Sequence, residues 1–255
     1  MPVNPLAINR APVLRPLIYP RPAPRRVAEP SQTALSLKRV APTAPPVAPF
    51  SKLQAACQGQ TVFVLASGPS LTLADVAAVR GTGRPVIVTN TTFRLAPWAT
   101  ALFGQDRKWH QAHAAEVAAA FRGLVFSGQP VAGHPPLPTC VKALGIETFK
   151  NSGAGAIALA LHAGAARIVA LGLDCQPDAN GHRHWHGEHA PGLGNAVSMP
   201  LWVAQFKRCA AWCQAKGVPV INASRATALE CFPRASLEDI LADLSAPAAP
   251  TEVAP

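Results

Sequence analysis

Six short runs of almost purely apolar residues limit the fold of this chain more than any other feature: TVFVLA (61–66), PVIVTN (85–90), ATALFG (99–104), GLVFSG (123–128), RIVALGLD (167–174) and VPVINAS (218–224). A strand that is apolar on both sides cannot face water, so a sheet built from such strands needs cover on both faces. The segments between them supply it. LADVAAVR, residues 106–121, the small-residue run NSGAGAIALALHAGA (151–165), residues 199–217 with Pro200 near the first turn, and SLEDILADL (236–244) all read as helices. Strands alternating with helices predict an α/β domain with a mostly parallel sheet and helices on both faces. In such sheets ligands sit beyond the C-terminal strand ends. That rule selects Ser67–Ser70, Asn90, Gln105, Asp106, Asp174 and Asn222–Ser224 as the rim of a crevice.

The 255 residues suit one such domain with tails. Residues 1–50 hold twelve prolines in an Ala/Arg/Val background, a density that blocks helices and sheet ladders. The expected organisation is therefore a disordered basic Pro/Ala-rich arm (1–50), the α/β domain (51–244) and a disordered tail (245–255). Seven Lys/Arg against Glu29 give the arm +6 of the chain's net +10, so the basic character belongs mainly to the arm. Two uses of the arm fit, contact with nucleic acid and contact with a partner protein; a leader with no use fits as well. Six cysteines without a CxxC pair suit reduced thiols, and Cys209 and Cys213 have the i,i+4 spacing of two small core residues. No apolar run reaches the roughly 20 residues of a membrane-spanning helix, and prolines interrupt any signal-type core. The expectation is a cytoplasmic protein with no membrane span.

Two stretches suit a phosphate. VLASGPSL places Gly68, Pro69 and Ser70 in a turn after the first strand, and Thr72 with Asp75 resembles a capping box for the helix that follows. Backbone amides there could hold an anion, or the turn could be a plain connection. Asn151 and Ser152 are both good N-caps for the small-residue helix, with Lys150 just before and Gly153 just after. The glycines suit either close helix–sheet packing or ligand approach. Asp106 fits both an N-cap and a carboxylate that grips a sugar hydroxyl or a metal-bound phosphate. Asp174, at a strand end, suits a ligand better than a core.

DANGHRHWHGEHAP (178–191) holds four of the eight histidines. Its glycines and proline argue against a helix. In an extended run His182, His184 and His186 share one side, which leaves three uses open: a metal site, a polar loop without chemistry, and a general base near the ordinary imidazole pKa of ~6.5.

Taken together, VLASGPSL, IVTN, FGQD, NSGAGAIALALHAGA, IVALGLD and a late histidine-rich loop resemble a Rossmann-like superfamily. It is shared by bacterial CMP-sialic-acid sialyltransferases of the lipooligosaccharide type, motility-associated flagellin glycosyltransferases and archaeal-type 6-hydroxymethylpterin pyrophosphokinases, with phage and bacterial relatives. The resemblance spans roughly residues 60–235. It implies a Rossmann-like core with Gly68, Pro69 and Ser70 lining a nucleotide site, to which the strand-end rule adds Ser67. Asn90, Gln105 or Asp106, and Asn151, Ser152 and Gly153 would contact the donor, with Asp174 as the acidic residue of the Gly-x-Asp motif. A histidine of the following loop would act as base on the acceptor: His184, His186 or His182, in that order. In those sialyltransferases tyrosine hydroxyls stabilise the leaving phosphate, whereas the one tyrosine here is Tyr19, in the arm. The charge would fall instead to Arg107, Lys108, Lys150, Arg183, backbone amides, or Mg²⁺ held by Asp106 and Asp174.

The expected function is a glycosyltransferase-like enzyme that takes a nucleotide-activated sugar to an unidentified acceptor. One rival is an ATP- and Mg²⁺-dependent pyrophosphokinase acting on a pterin-like alcohol. The other is a non-catalytic phage or bacterial accessory module in which the arm does the binding.

Overall fold

The computed structural model describes residues 47–133, 137–190, 192–194 and 198–246. The arm up to residue 46 and the tail beyond residue 246 lie outside them. Seven strands form one sheet: β1 (Thr61–Leu65), β2 (Val86–Thr89), β3 (Ala101–Gly104), β4 (Leu124–Ser127), β5 (Thr139–Cys140), β6 (Arg167–Leu171) and β7 (Val220–Asn222). The order is β5-β4-β3-β2-β1-β6-β7, and every pairing is parallel. This is an α/β fold of Rossmann-like type, as the apolar runs require.

Alternation along each strand sorts the core into two layers. Val62 and Val64 face one side with Ile87, Phe103 and Ile168, under α1 (Val47–Cys57), α4 (Ser152–His162) and α5 (Met199–Ala215). Phe63 and Leu65 face the other with Val88, Leu102 and Leu171, under α2 (Leu73–Gly81), α3 (Arg107–Ala120) and α6 (Leu237–Ser245). Helix α4 is buried without a break from Gly153 to Ala160, between the sheet and α5. A Cβ at Gly155 would run into the Phe103 ring, so glycine there sets how closely α4 lies on the sheet. Cys209 and Cys213, on α5, are buried with free thiols.

Three boundaries differ from the sequence reading. The arm drawn to residue 50 ends inside α1, which begins at Val47. Pro49 falls in its first turn, where no N–H is needed, and Leu53 and Cys57, one turn apart, are fully buried. The second difference is a seventh strand: β5 has only two residues and pairs at the sheet edge through Thr139 and Cys140. The last apolar run is a strand only over Val220–Asn222.

The topology fixes where a ligand can go. From β1 the chain works outward through β2, β3, β4 and β5, then crosses back through α4 to β6, on the other side of β1. The sheet order therefore reverses between β1 and β6, and their C-terminal ends open a crevice.

Candidate functional site

A cleft of about 600 Å³ lies at that switch point. The β1 turn (Ser67, Gly68) and the end of β6 (Gly172–Cys175) make its floor. Asn90, Gln105 and the first residues of α3 form one wall, and Lys150–Gly153 at the start of α4 form the next. The loop carrying Arg183, His184 and His189 closes the remaining polar side, while Met199, Trp202 and Phe206 of α5 supply an apolar one.

Several predicted residues act on the frame rather than on a ligand. Ser70 donates both its backbone N–H and its hydroxyl to Asp174, each at 2.7 Å, which ties the β1 turn to the end of β6. Both carboxylate oxygens are thereby engaged. Burial pushes the Asp174 pKa up to about 6 against the lowering effect of the Ser70 bonds. Gly68 fits under this clasp only because it has no side chain: a Cβ would collide with the Asp174 carboxylate and the Gly172 carbonyl. Ser70 and Pro69 are absent from the cleft lining. Asn222 and Ser224 also turn inward, Asn222 accepting from the Ser224 amide and the Ser224 hydroxyl from the Leu173 amide.

Of the two helix starts singled out in the sequence, that of α4 lines the cleft and that of α2 does not. At α2 the capping box forms as expected: Thr72 Oγ1 accepts from the Asp75 amide and Asp75 from the Thr72 amide. Asp75 also pairs with Arg225 at 2.6 Å, so a carboxylate already sits at this helix start. At α4 the Asn151 side chain caps the Ala154 amide at 3.0 Å, and no acid occupies the first turn. The Ser152 hydroxyl accepts from the Gln105 amide (3.1 Å) and from Asn90 Nδ2 (3.2 Å), joining the ends of β2 and β3 to α4. The backbone is strained here. Asn90, Phe149, Lys150 and Cys175 are the non-glycine residues with positive φ among those described, at 46°, 53°, 55° and 51°. Three of them line the cleft. Such conformations cost about 1–3 kcal/mol each and collect at functional sites.

One polar atom on this wall has no partner. Gln105 is 5% exposed, and its Oε1 is buried without a hydrogen bond. Four cationic side chains line the cleft (Arg107, Lys108, Lys150, Arg183) against two carboxylates, Asp106 and Asp174. Asp106 takes the N-cap position of α3 without capping it. It is exposed at the mouth, yet the wall beside it desolvates the carboxyl and raises its pKa. With Asp174 clasped by Ser70, the two acids do not present the pair of free carboxylates expected for Mg²⁺.

The histidine loop is pinned. The Trp185 amide donates to the Ser67 carbonyl (3.1 Å), and the Trp185 indole donates to Thr92 Oγ1 (3.2 Å). The loop is not the extended run that the HxHxH spacing suggests. Asp178 accepts from the amides of Asn180 and His182 and from the His182 ring, so the chain turns and His182 points away, exposed. His182 is therefore removed from the candidate bases. His189, which the spacing argument passed over, takes its place. The rings of His184 and His186 stack with centroids 5.1 Å apart, and His189 leans across both at 4.9 and 4.7 Å. Desolvation first, then the neighbouring cationic groups, lowers His186 to about 3 and His189 to about 4. His184 is lowered as well, chiefly by burial. His184 and His189 line the cleft, while His186 stands behind them. Sequence reasoning also missed Gln129, which lies two residues past β4 and within reach of the strand-end rule, and Gln205 and Trp202 of α5, which that rule does not select.

No protein-family profile and no curated protein matches the chain. Among solved structures, a short-chain dehydrogenase from Oenococcus oeni is 13% identical, with a TM-score of 0.25 over 73% of this chain and 88% of that one. A short-chain dehydrogenase/reductase from Serratia marcescens is 14% identical, with a TM-score of 0.23 over 66% and 74%. Likenesses of this degree identify no relative. The all-parallel sheet and its strand order define the fold.

Proposed function

We propose that the protein is a nucleotide-dependent transferase of glycosyltransferase type, which binds a nucleotide-activated sugar in the switch-point cleft and passes the sugar to an acceptor hydroxyl. The observation that carries this reading is the pairing of two unlike walls in one cleft. One holds the start of α4, with no acid in its first turn, together with Lys150 and Arg107. The other presents His184, whose buried Nε2 has no hydrogen-bond partner. Helix N-termini and cations stabilise phosphate oxygens, and an uncharged imidazole accepts a proton.

The acceptor hydroxyl loses its proton to the histidine wall as its oxygen bonds to the anomeric carbon. The bond from that carbon to the donor phosphate breaks, and the nucleoside phosphate leaves with the electron pair. Its charge is met by the Ser152 and Gly153 region, Lys150 and Arg107. Trp202, Met199 and Phe206 offer an apolar surface for a base or an acceptor ring. Preorganised charge and positioning would supply most of the rate.

A thermal-shift series with CMP, UDP, GDP and ATP, each with Mg²⁺ and with EDTA, tests the reading. At ~100 times its dissociation constant a ligand stabilises by about 2.7 kcal/mol. The expected result is a shift with CMP or UDP that survives EDTA and is lost in Lys150→Glu. A shift seen only with ATP and Mg²⁺ would point to diphosphate transfer instead, and no shift with any nucleotide would overturn the reading.

A further inference from the structure

We infer that His184, His186 and His189 form a zinc site whose open coordination position faces the cleft. Among the described residues these three are the one group whose ligand atoms converge, all lying within 4.8 Å of one another. A tetrahedral zinc with Zn–N bonds of 2.0–2.1 Å needs nitrogens roughly 3.3 Å apart, so the nitrogens must draw in by about an ångström and the stacked His184 and His186 rings must turn their edges toward one point. Gly187, between the second and third histidines and with open space around its Cα, gives the loop room to do so.

A further observation points to an ion rather than to packing. The Nε2 atoms of both His184 and His186 are buried without a partner. An orphaned buried acceptor costs about 1–3 kcal/mol, so two side by side call for a ligand. Three imidazoles without a thiolate or carboxylate suit Zn²⁺ rather than Mg²⁺ or Ca²⁺. His184 and His189 border the cleft, so the fourth position opens toward substrate. The inference rests on the transferase reading and deepens it: bound zinc would lower the pKa of the acceptor hydroxyl so that its proton could pass to solvent, and His184 would serve as ligand rather than as base.

The test uses untagged full-length protein, stripped with EDTA and titrated with Zn²⁺ alone, then with Co²⁺ for its visible absorption. One Zn²⁺ per chain is expected. His186→Ala and His189→Ala should each weaken binding by at least ~10-fold and lose the tetrahedral Co²⁺ bands. His182→Ala, in the same loop but outside the cluster, should bind as wild type does. Equal losses in His182→Ala and His186→Ala, or no stoichiometric binding, would overturn the site. Thermal melts in EDTA establish that each variant is folded. Because no nucleotide is present, failure here leaves the nucleotide result untouched, and nucleotide binding in EDTA reads the transferase proposal without the metal.

Discussion

At the scale of single residues, the site depends on groups whose first partner is another part of the protein. Asp174 is the clearest case: a carboxylate at a strand end reads as a ligand contact, yet both its oxygens are held by Ser70. Removing the hydroxyl in Ser70→Ala should cost about 1.5–3 kcal/mol in urea unfolding at pH 7, because one charge-assisted bond is lost while the backbone bond remains. His110 yields a pH prediction with a definite sign. It is buried, its Nε2 lies 3.1 Å from the Gly104 carbonyl, and burial lowers its pKa from 6.5 to about 4. Below pH 6.5 the unfolded chain gains a proton there that the native state refuses, so stability falls as pH drops from 6.5 to about 4. Asp174 acts in the opposite sense. Its native pKa of about 6 exceeds its ordinary 3.8, so it adds stability over the same fall in pH. His110→Gln should therefore lose about 3 kcal/mol less than wild type between pH 7 and pH 4, as read by urea titrations along a pH series. Identical pH profiles for the two proteins would contradict the assignment of a neutral buried imidazole.

At the scale of elements, the two helix starts facing the β1 region separate by charge. The start of α2 carries its own carboxylate, Asp75, locked to Thr72 and Arg225. That of α4 carries Asn151 and no acid. Both caps should matter similarly to stability, with Thr72→Ala and Asn151→Ala each costing about 1 kcal/mol. They should differ in binding: only Asn151→Ala should weaken nucleotide affinity, measured by titration calorimetry. The strands were legible because a two-sided apolar run has few other fates, and the capping box at Thr72 because its spacing is local. Helix α1 was hidden by the prolines preceding it, although Leu53 and Cys57 are one turn apart. β5 is two residues long and owes its pairing to its neighbour β4 rather than to its own sequence. The histidine loop misled for a physical reason as well. The period-two argument assumes extended backbone, and the side-chain turn at Asp178 breaks it, turning His182 outward and bringing His189 in.

At the scale of the whole molecule, the site follows from the path of the chain. The sheet order reverses between β1 and β6, and the crossover that produces the reversal is the same α4 whose N-terminus enters the cleft. Gly155 lets that helix lie against Phe103, so Gly155→Leu should overpack the interface. The expected loss is about 1–3 kcal/mol, together with a displaced α4 start and weaker nucleotide binding in the same titration. No helix of the described residues is long and apolar enough to cross a membrane. The central claim is that the cleft recognises a phosphate at the start of α4. The most direct measurement is a pair of calorimetric titrations at one salt concentration, comparing the nucleotide that gives the largest thermal shift with its parent nucleoside. The expected result is at least ~10-fold tighter binding of the nucleotide, a difference of about 1.4 kcal/mol, and the loss of that difference in Lys150→Ala. Equal affinity for nucleoside and nucleotide, or a difference unchanged by Lys150→Ala, would contradict it.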